Sequence, residues 1–176
     1  PTVDCIVGPV VAGVAQHTNR SKTYVAFAGH RPDGLPQVEI VTVSHGSEWV
    51  QGWLTDQKRA GRIKAVGGQT SGVPEGTVLK KLKVDRTFRI PVVEMNGSDL
   101  LDAYADADDA LREKRVWHTP WASLDLAAGT AEWKTLAGGA RVIAVKNSPT
   151  DVTALRAWVA ALWLLENQPP APPPPT

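Results

Sequence analysis

Cysteine is almost missing from this sequence. Cys5 is the single one among 176 residues, so an intrachain disulfide framework is excluded, a reducing compartment fits, and the thiol reads as a small buried packing residue. No apolar stretch approaches the about 18 residues of a membrane-spanning helix, and with 43% hydrophobic residues the chain reads as a soluble globular protein with no membrane partner. Nothing near Pro1 resembles a signal peptide, and a start at Pro1 suits a free-standing protein that has lost its initiator methionine. An excess of either charge is missing too. Nineteen basic residues stand against 18 acidic ones, and a net charge of +1 supplies no global field to draw in a polyanion. Only Lys80, Lys81, Lys83, Arg86 and Arg89 approach a basic run, and such a run at a helix end is ordinarily a solvated face.

Several catalytic signatures are absent as well. His17, His30, His45 and His118 are scattered, with no H-x-x-x-H spacing and no cysteine partner, which argues against zinc. There is no G-x-S-x-G elbow. Ser44 and His45 lie near Glu48, but adjacent residues at a strand end point apart, so they do not read as a hydrolase triad. Tryptophan, by contrast, is abundant. Seven indoles in one small domain suggest that some contact another molecule, because rings of that size dominate interfaces as well as cores.

A chain of this length makes one domain, able to bury roughly 70% of its unfolded surface. Its opening is apolar, with Gly8 and Pro9 inside it, and reads as an irregular lead and then a strand ending at Val14. A second strand covers 23–29, Arg31-Pro-Asp-Gly34 supplies a turn, and a third strand covers 37–44. Ser47 is a candidate N-cap for a helix over 48–60, with Trp49, Val50, Trp53 and Leu54 facing inward and Gly61 ending it. Residues 63–66 form a short, fully apolar strand. The glycine-rich GGQTSGVPEGT that follows lacks the Gly-Lys-Ser/Thr ending of a phosphate loop, so it reads as an ordinary connection into a helix. Pro74 suits the first turn of that helix, with Val78, Leu79 and Leu82 inward.

A strand over 89–93 leads to a helix from Asp99 to about Lys114, capped by Asn96 or Ser98, with Leu100, Leu101, Tyr104 and Leu111 as its buried stripe. Asp102, Asp106 and Asp109 fall on the opposite, solvated face. Thr119-Pro120 begins a helix through Leu136, a strand covers 141–145, and the last helix runs from Asp151 to Glu166. That helix is apolar nearly all round, so it is buried on more than one side, by its own fold or by a partner. The domain therefore spans 1–167, and 168–176 is a proline-rich tail of polyproline II character.

Three segments carry a resemblance. GVAQHTNRSKTYVAFAGHRPDG, HGSEWVQGWLTDQKRAGRIKAVGG, and the stretch from LLDAYADADDALREKRVWHTPWASLDLAAG to SPTDVTALRAWVAALW together resemble the C-terminal nuclease domain of phage terminase large subunits, most closely those of actinobacterial phages. The resemblance covers about Val10 to Leu165. It implies an α/β fold, an RNase H-like mixed sheet with an N-terminal antiparallel hairpin and helices on both faces. It also implies a two-metal site of acids at the end of the first strand, at the end of the strand after the first helix, and at the start of the last helix. Carried over, those positions are Ala15, Gly67 and Asp151, and only Asp151 is an acid. Glu48 is a possible extra ligand, since related folds place a carboxylate on that helix. Two acids hold one Mg²⁺ weakly at best, while in-line attack by the two-metal route needs several carboxylates. The Walker A loop of a whole terminase is missing.

These residues lead to the expectation of a non-catalytic phage protein acting as a structural or interaction module. Its most concrete form is a capsid-associated accessory, a minor capsid or decoration protein, located in the virion or host cytoplasm. Its partner would be a phage structural or packaging protein such as the major capsid protein, and no cofactor would be needed. The surfaces expected to meet that partner are Trp158 and Trp163 of the last helix and the prolines Pro169, Pro170, Pro172, Pro173 and Pro174. One alternative is an active terminase-type endonuclease with a rebuilt site using Mg²⁺ or Mn²⁺. Another is a nuclease-dead DNA-binding module.

Overall fold

The apolar opening forms β1 (Val7–Gln16), which turns back into β2 (Lys22–His30) and then into β3 (Pro36–His45). The turn before β3 closes as its residues dictate: Asp33 Oδ1 accepts the Leu35 N–H, and Gly34 takes φ +84°. This computed structural model describes residues 6–139, 141–144, 148 and 151–167, except the side chains of 122 and 123. Cys5 lies outside them. On the other side of β1, β4 (Ile63–Gln69) and β5 (Val92–Met95) add in parallel. The sheet order is β3-β2-β1-β4-β5, with β1, β2 and β3 antiparallel. This is the RNase H-like mixed sheet that the sequence predicts.

Helices cover both faces of the sheet, so β1 alternates between two cores rather than between core and water. Val10, Ala12 and Val14 join α1 (Val50–Thr55) and α2 (Glu75–Val84), whereas Val11 and Ala15 face the layer containing α3 (Ser98–Arg112), α4 (Ala122–Thr130) and α5 (Thr153–Glu166). A two-stranded hairpin, β6 (Trp133–Thr135) with β7 (Arg141–Ile143), packs against that second layer. Every residue of α5 from Thr153 to Leu164 is buried, so the helix that is apolar all round is covered by its own fold. It lies directly on β1 at Gly13, where a Cβ would collide with the Ala157 carbonyl and the Ala161 nitrogen. The free edge of β3 is covered in part, because Trp117 N–H donates to Pro36 O and Val38 N–H to Trp117 O.

Several elements depart from the sequence expectation. Pro9 lies inside β1, tolerated because the pairing with β2 is irregular between Val7 and Val11 and Gly8 takes φ +77°. The first helix is six residues rather than thirteen, and Ser47 does not cap it. Asp56 leaves the helical region and accepts the Lys58 N–H, while Arg59 Nε donates to Trp53 O and its guanidinium stacks 4.1 Å from the Trp53 ring. The strand expected at 89–93 slides to Val92–Met95, past Pro91, which lacks an N–H.

On α3 the buried stripe is made by Ala103, Tyr104, Ala107 and Ala110, and Leu111 is exposed. Small side chains there let the helix approach α5. Asn96 does not cap α3 with its side chain; its amide oxygen instead accepts the Thr70 and Ser71 N–H groups and ties the glycine-rich loop to β5. The helix expected through Leu136 ends at Thr130, whose hydroxyl donates back to Leu126 O, and Trp133 begins a strand. The strand expected over 141–145 is β7, Arg141–Ile143, with Val145 outside the described residues.

Candidate functional site

β1 and β4 run parallel, so their C-terminal ends lie side by side, and the N-termini of α2 and α5 both approach that end. Ala15 occupies the last part of β1, buried and opposite Tyr24. Gly13 pairs with Gly67, and continuing that register by two residues sets Gln69 beside Ala15. Gly67, the second carried-over position, thus lies two residues before the level of Ala15, and Gln69 is the residue that this register brings to it. Gly67 lies deeper in the sheet, where a Cβ would press on Val93 O and meet Leu164 Cδ1 at 3.4 Å, leaving no space for a carboxylate. Neither Gly67 nor Gln69 is an acid.

What fills the strand end is an internal ion pair that sequence reading missed. Arg156, on the second turn of α5, is 5% exposed, and Glu75, in the first turn of α2, is 1% exposed. One Arg156 Nη pairs with Glu75 Oε1, and the other donates to Gln16 O at 3.3 Å. Glu75 Oε2 in turn accepts the Gln16 N–H at 3.3 Å. Burial pushes the Glu75 carboxyl up, against the pull of Arg156 and of the backbone N–H groups it accepts. Burial likewise raises the Tyr104 hydroxyl, with Arg156 opposing it. The remaining cavity, lined by Gln69, Glu75, Tyr104, Arg156 and Val159 among others, holds ≈ 10 Å³, room for about one water. A lone charge in the apolar run from Thr153 to Leu165 was the one available signal for Arg156. Glu75 looked like any first-turn acid serving a helix dipole.

Asp151 sits just before α5 and behaves as a helix-start carboxylate. Its Oδ1 accepts the Thr153 N–H at 2.9 Å and the Thr153 hydroxyl, while Lys22 Nζ lies 3.4 Å from Oδ2 and His17 Nε2 lies 4.0 Å from Oδ1. Burial opposes ionisation, but the two Thr153 donors and the flanking His17 and Lys22 outweigh it and hold the carboxyl below its ordinary range. Glu48 is exposed in the turn before α1, its Oε2 accepting the Ser47 N–H at 3.1 Å. Its own backbone N–H, and then that of Ser47, keep its carboxyl low. Among the described residues, no group of three or more His, Cys, Asp or Glu side chains is arranged to hold a metal ion. The acids present thus do not fit a two-metal centre: Asp151 is engaged by Thr153 and Lys22, and Glu75 by Arg156.

The partner-contact residues need correction as well. Trp158 is 1% exposed and Trp163 9%, both inside the α5 core, because this helix is sandwiched between the sheet and α3 and α4. Neither ring is a surface anchor. Pro169, Pro170, Pro172, Pro173 and Pro174 lie outside the described residues. The basic run is exposed as expected, with Lys83 Nζ 2.7 Å from Glu94 Oε2. Among the described residues no helix is long and apolar enough to cross a membrane.

No protein-family model and no curated protein matches the chain. Solved structures do. The large-terminase nuclease of thermophilic phage G20c aligns with a TM-score of 0.61 at 12% identity, covering 91% of this chain and 87% of that one. The nuclease domain of the bacteriophage SPP1 large terminase, solved with bound manganese, aligns at 0.56 and 9% identity, covering 88% and 85%. The bacteriophage HK97 large terminase aligns at 0.56 and 15% identity over 90% of this chain, which spans only 40% of that protein. The chain has the RNase H-like fold of the large-terminase nuclease domains.

Proposed function

We propose that this chain is a phage protein built on the terminase-nuclease fold that does not cut DNA and serves as a structural or interaction module. The observation that carries the reading is the Arg156–Glu75 pair at the ends of β1 and β4. In-line phosphodiester attack by two metals needs several carboxylate oxygens free to bridge ions about 4 Å apart. Here Ala15, Gly67 and Gln69 offer none, the buried Glu75 carboxylate neutralises a guanidinium, and the cavity left over is ≈ 10 Å³. An internal cation holds the strand ends where a divalent ion would otherwise be needed.

Plasmid cleavage in Mg²⁺ and in Mn²⁺, with and without Asp151→Asn, is the direct test. Both proteins are expected to leave supercoiled DNA intact; metal-dependent cutting that the substitution abolishes would restore the nuclease alternative. The most concrete role is a capsid-associated accessory, bound to a phage structural protein such as the major capsid protein. Support for it is the nearly neutral charge, which gives no pull toward DNA, and the proline-rich end of the chain. Purified capsids are expected to contain this chain, and capsids lacking it would remove that role.

A further inference from the structure

The net charge of +1 conceals two charged faces of opposite sign. From Lys80 to Arg89 five cations stand against one acid, Asp85, and from Asp99 to Glu113 six acids stand against one cation, Arg112. On α2 the helical repeat sets Lys80, Lys81 and Val84 on the outer side, with Val84 78% exposed, while Leu79 and Leu82 are buried against the sheet. Lys83 lies 2.7 Å from Glu94, but Lys80, Lys81, Arg86 and Arg89, all exposed, form no ion pair among the described residues. On α3 and its last turn Asp102, Asp106, Asp109 and Glu113 recur every three or four residues as one exposed stripe, about 16 Å long, with Ala105 exposed beside it. Asp108 pairs with Arg112 at 2.8 Å and Glu113 with Arg115, whereas Asp102, Asp106 and Asp109 form no ion pair among the described residues. Burial, and after it the field of Asp106, push the neighbouring Glu166 carboxyl up, with Arg115 opposing them.

We propose that the basic face of α2 in one copy docks on the acidic stripe of α3 in a second copy, so that the protein associates head to tail with itself. Charge complementarity selects the partner, because this chain carries the acidic surface that its unpaired cations lack. Val84 favours a protein over a nucleic acid. An apolar side chain among charges matches the layout of a protein interface, and a phosphate backbone gives it nothing to pack on, whereas Ala105 offers a methyl beside the acids. The faces belong to different layers, α2 with α1 on one side of the sheet and α3 with α5 on the other, so engaging one leaves the other free. Such a contact is heterologous: copies add one after another, and they close into a ring only if the rotation between neighbours allows it. Neither face includes Glu75, Arg156 or Asp151, so the contact stands whether or not the strand ends can cut DNA.

Sedimentation velocity of the full chain tests this at about 0.01 M and about 1 M salt, between which the screening length falls from about 30 Å to about 3 Å. The wild-type sedimentation coefficient is expected to rise with protein concentration at low salt and to stay constant at high salt. Lys80→Gln with Lys81→Gln, and separately Asp102→Asn with Asp106→Asn, change exposed side chains, and each pair is expected to weaken association at least about tenfold. Arg86→Gln with Arg89→Gln takes the place of the lysine variant should that one not fold. Mixing the two variants is the sharpest arm, since each keeps the face that the other has lost: the mixture is expected to form pairs and nothing larger. Wild type that stays monomeric at low salt, with or without binding an added DNA duplex, would overturn the proposal, as would variants that associate like wild type or a mixture that stays monomeric.

Discussion

Single residues decide what the strand ends can do. Arg156 and Glu75 stabilise each other only as a pair, since each alone would be a buried charge without a counter-ion. Arg156→Met should therefore cost about 3–5 kcal/mol in urea unfolding, while Arg156→Met with Glu75→Leu should recover most of that loss. A single variant as stable as wild type would mean that the pair does not hold this end of the fold. Asp151 allows a pH prediction with a definite sign. Its carboxyl is depressed in the folded state, so its contribution is present above the ordinary carboxylate range and is lost as pH falls through the lowered value. The stability gap between wild type and Asp151→Asn should be about 0.5–1 kcal/mol at about pH 7 and shrink toward about pH 3. A gap that widens on acidification would contradict the assignment.

At the scale of elements, α5 and β1 form the hinge between sequence and site. Gly13 lets the α5 backbone rest on the strand, which in turn carries Arg156 to Gln16 O. Gly13→Ala should destabilise by about 1–3 kcal/mol or more through overpacking, read as a lowered thermal midpoint, whereas Gly52→Ala, with open space around its Cβ, should be neutral or mildly stabilising. What was legible in the sequence follows the same line. The three antiparallel strands, the turn at Asp33-Gly34 and the buried last helix were readable because alternation, turn chemistry and an all-round apolar pattern are local signals. The end of α4 and strand β6 were not. Leu124 to Leu136 carries apolar residues at helical spacing, yet the helix stops at Thr130 and Trp133–Thr135 pairs as a strand, with the Trp133 ring packed on Tyr104 and under Arg141. The strand-end pair was hidden for a stronger reason: Gln16, Glu75 and Arg156 are far apart in the chain, and no local pattern joins them.

For the molecule as a whole, the fold is that of terminase nucleases, and a shared architecture does not carry function with it. Among the described residues, Asp151 serves a helix start, Glu75 pairs with Arg156, Glu39 is buried against Thr119, and no three acids or histidines converge as a metal-binding group. The central claim is that an internal guanidinium, and not a divalent ion, neutralises the ends of β1 and β4. Electron paramagnetic resonance of Mn²⁺ titrated into the protein tests it most directly, comparing wild type with Asp151→Asn. The predicted result is a free-ion spectrum for both proteins up to about millimolar Mn²⁺; a bound Mn²⁺ signal in wild type that disappears in Asp151→Asn would contradict it.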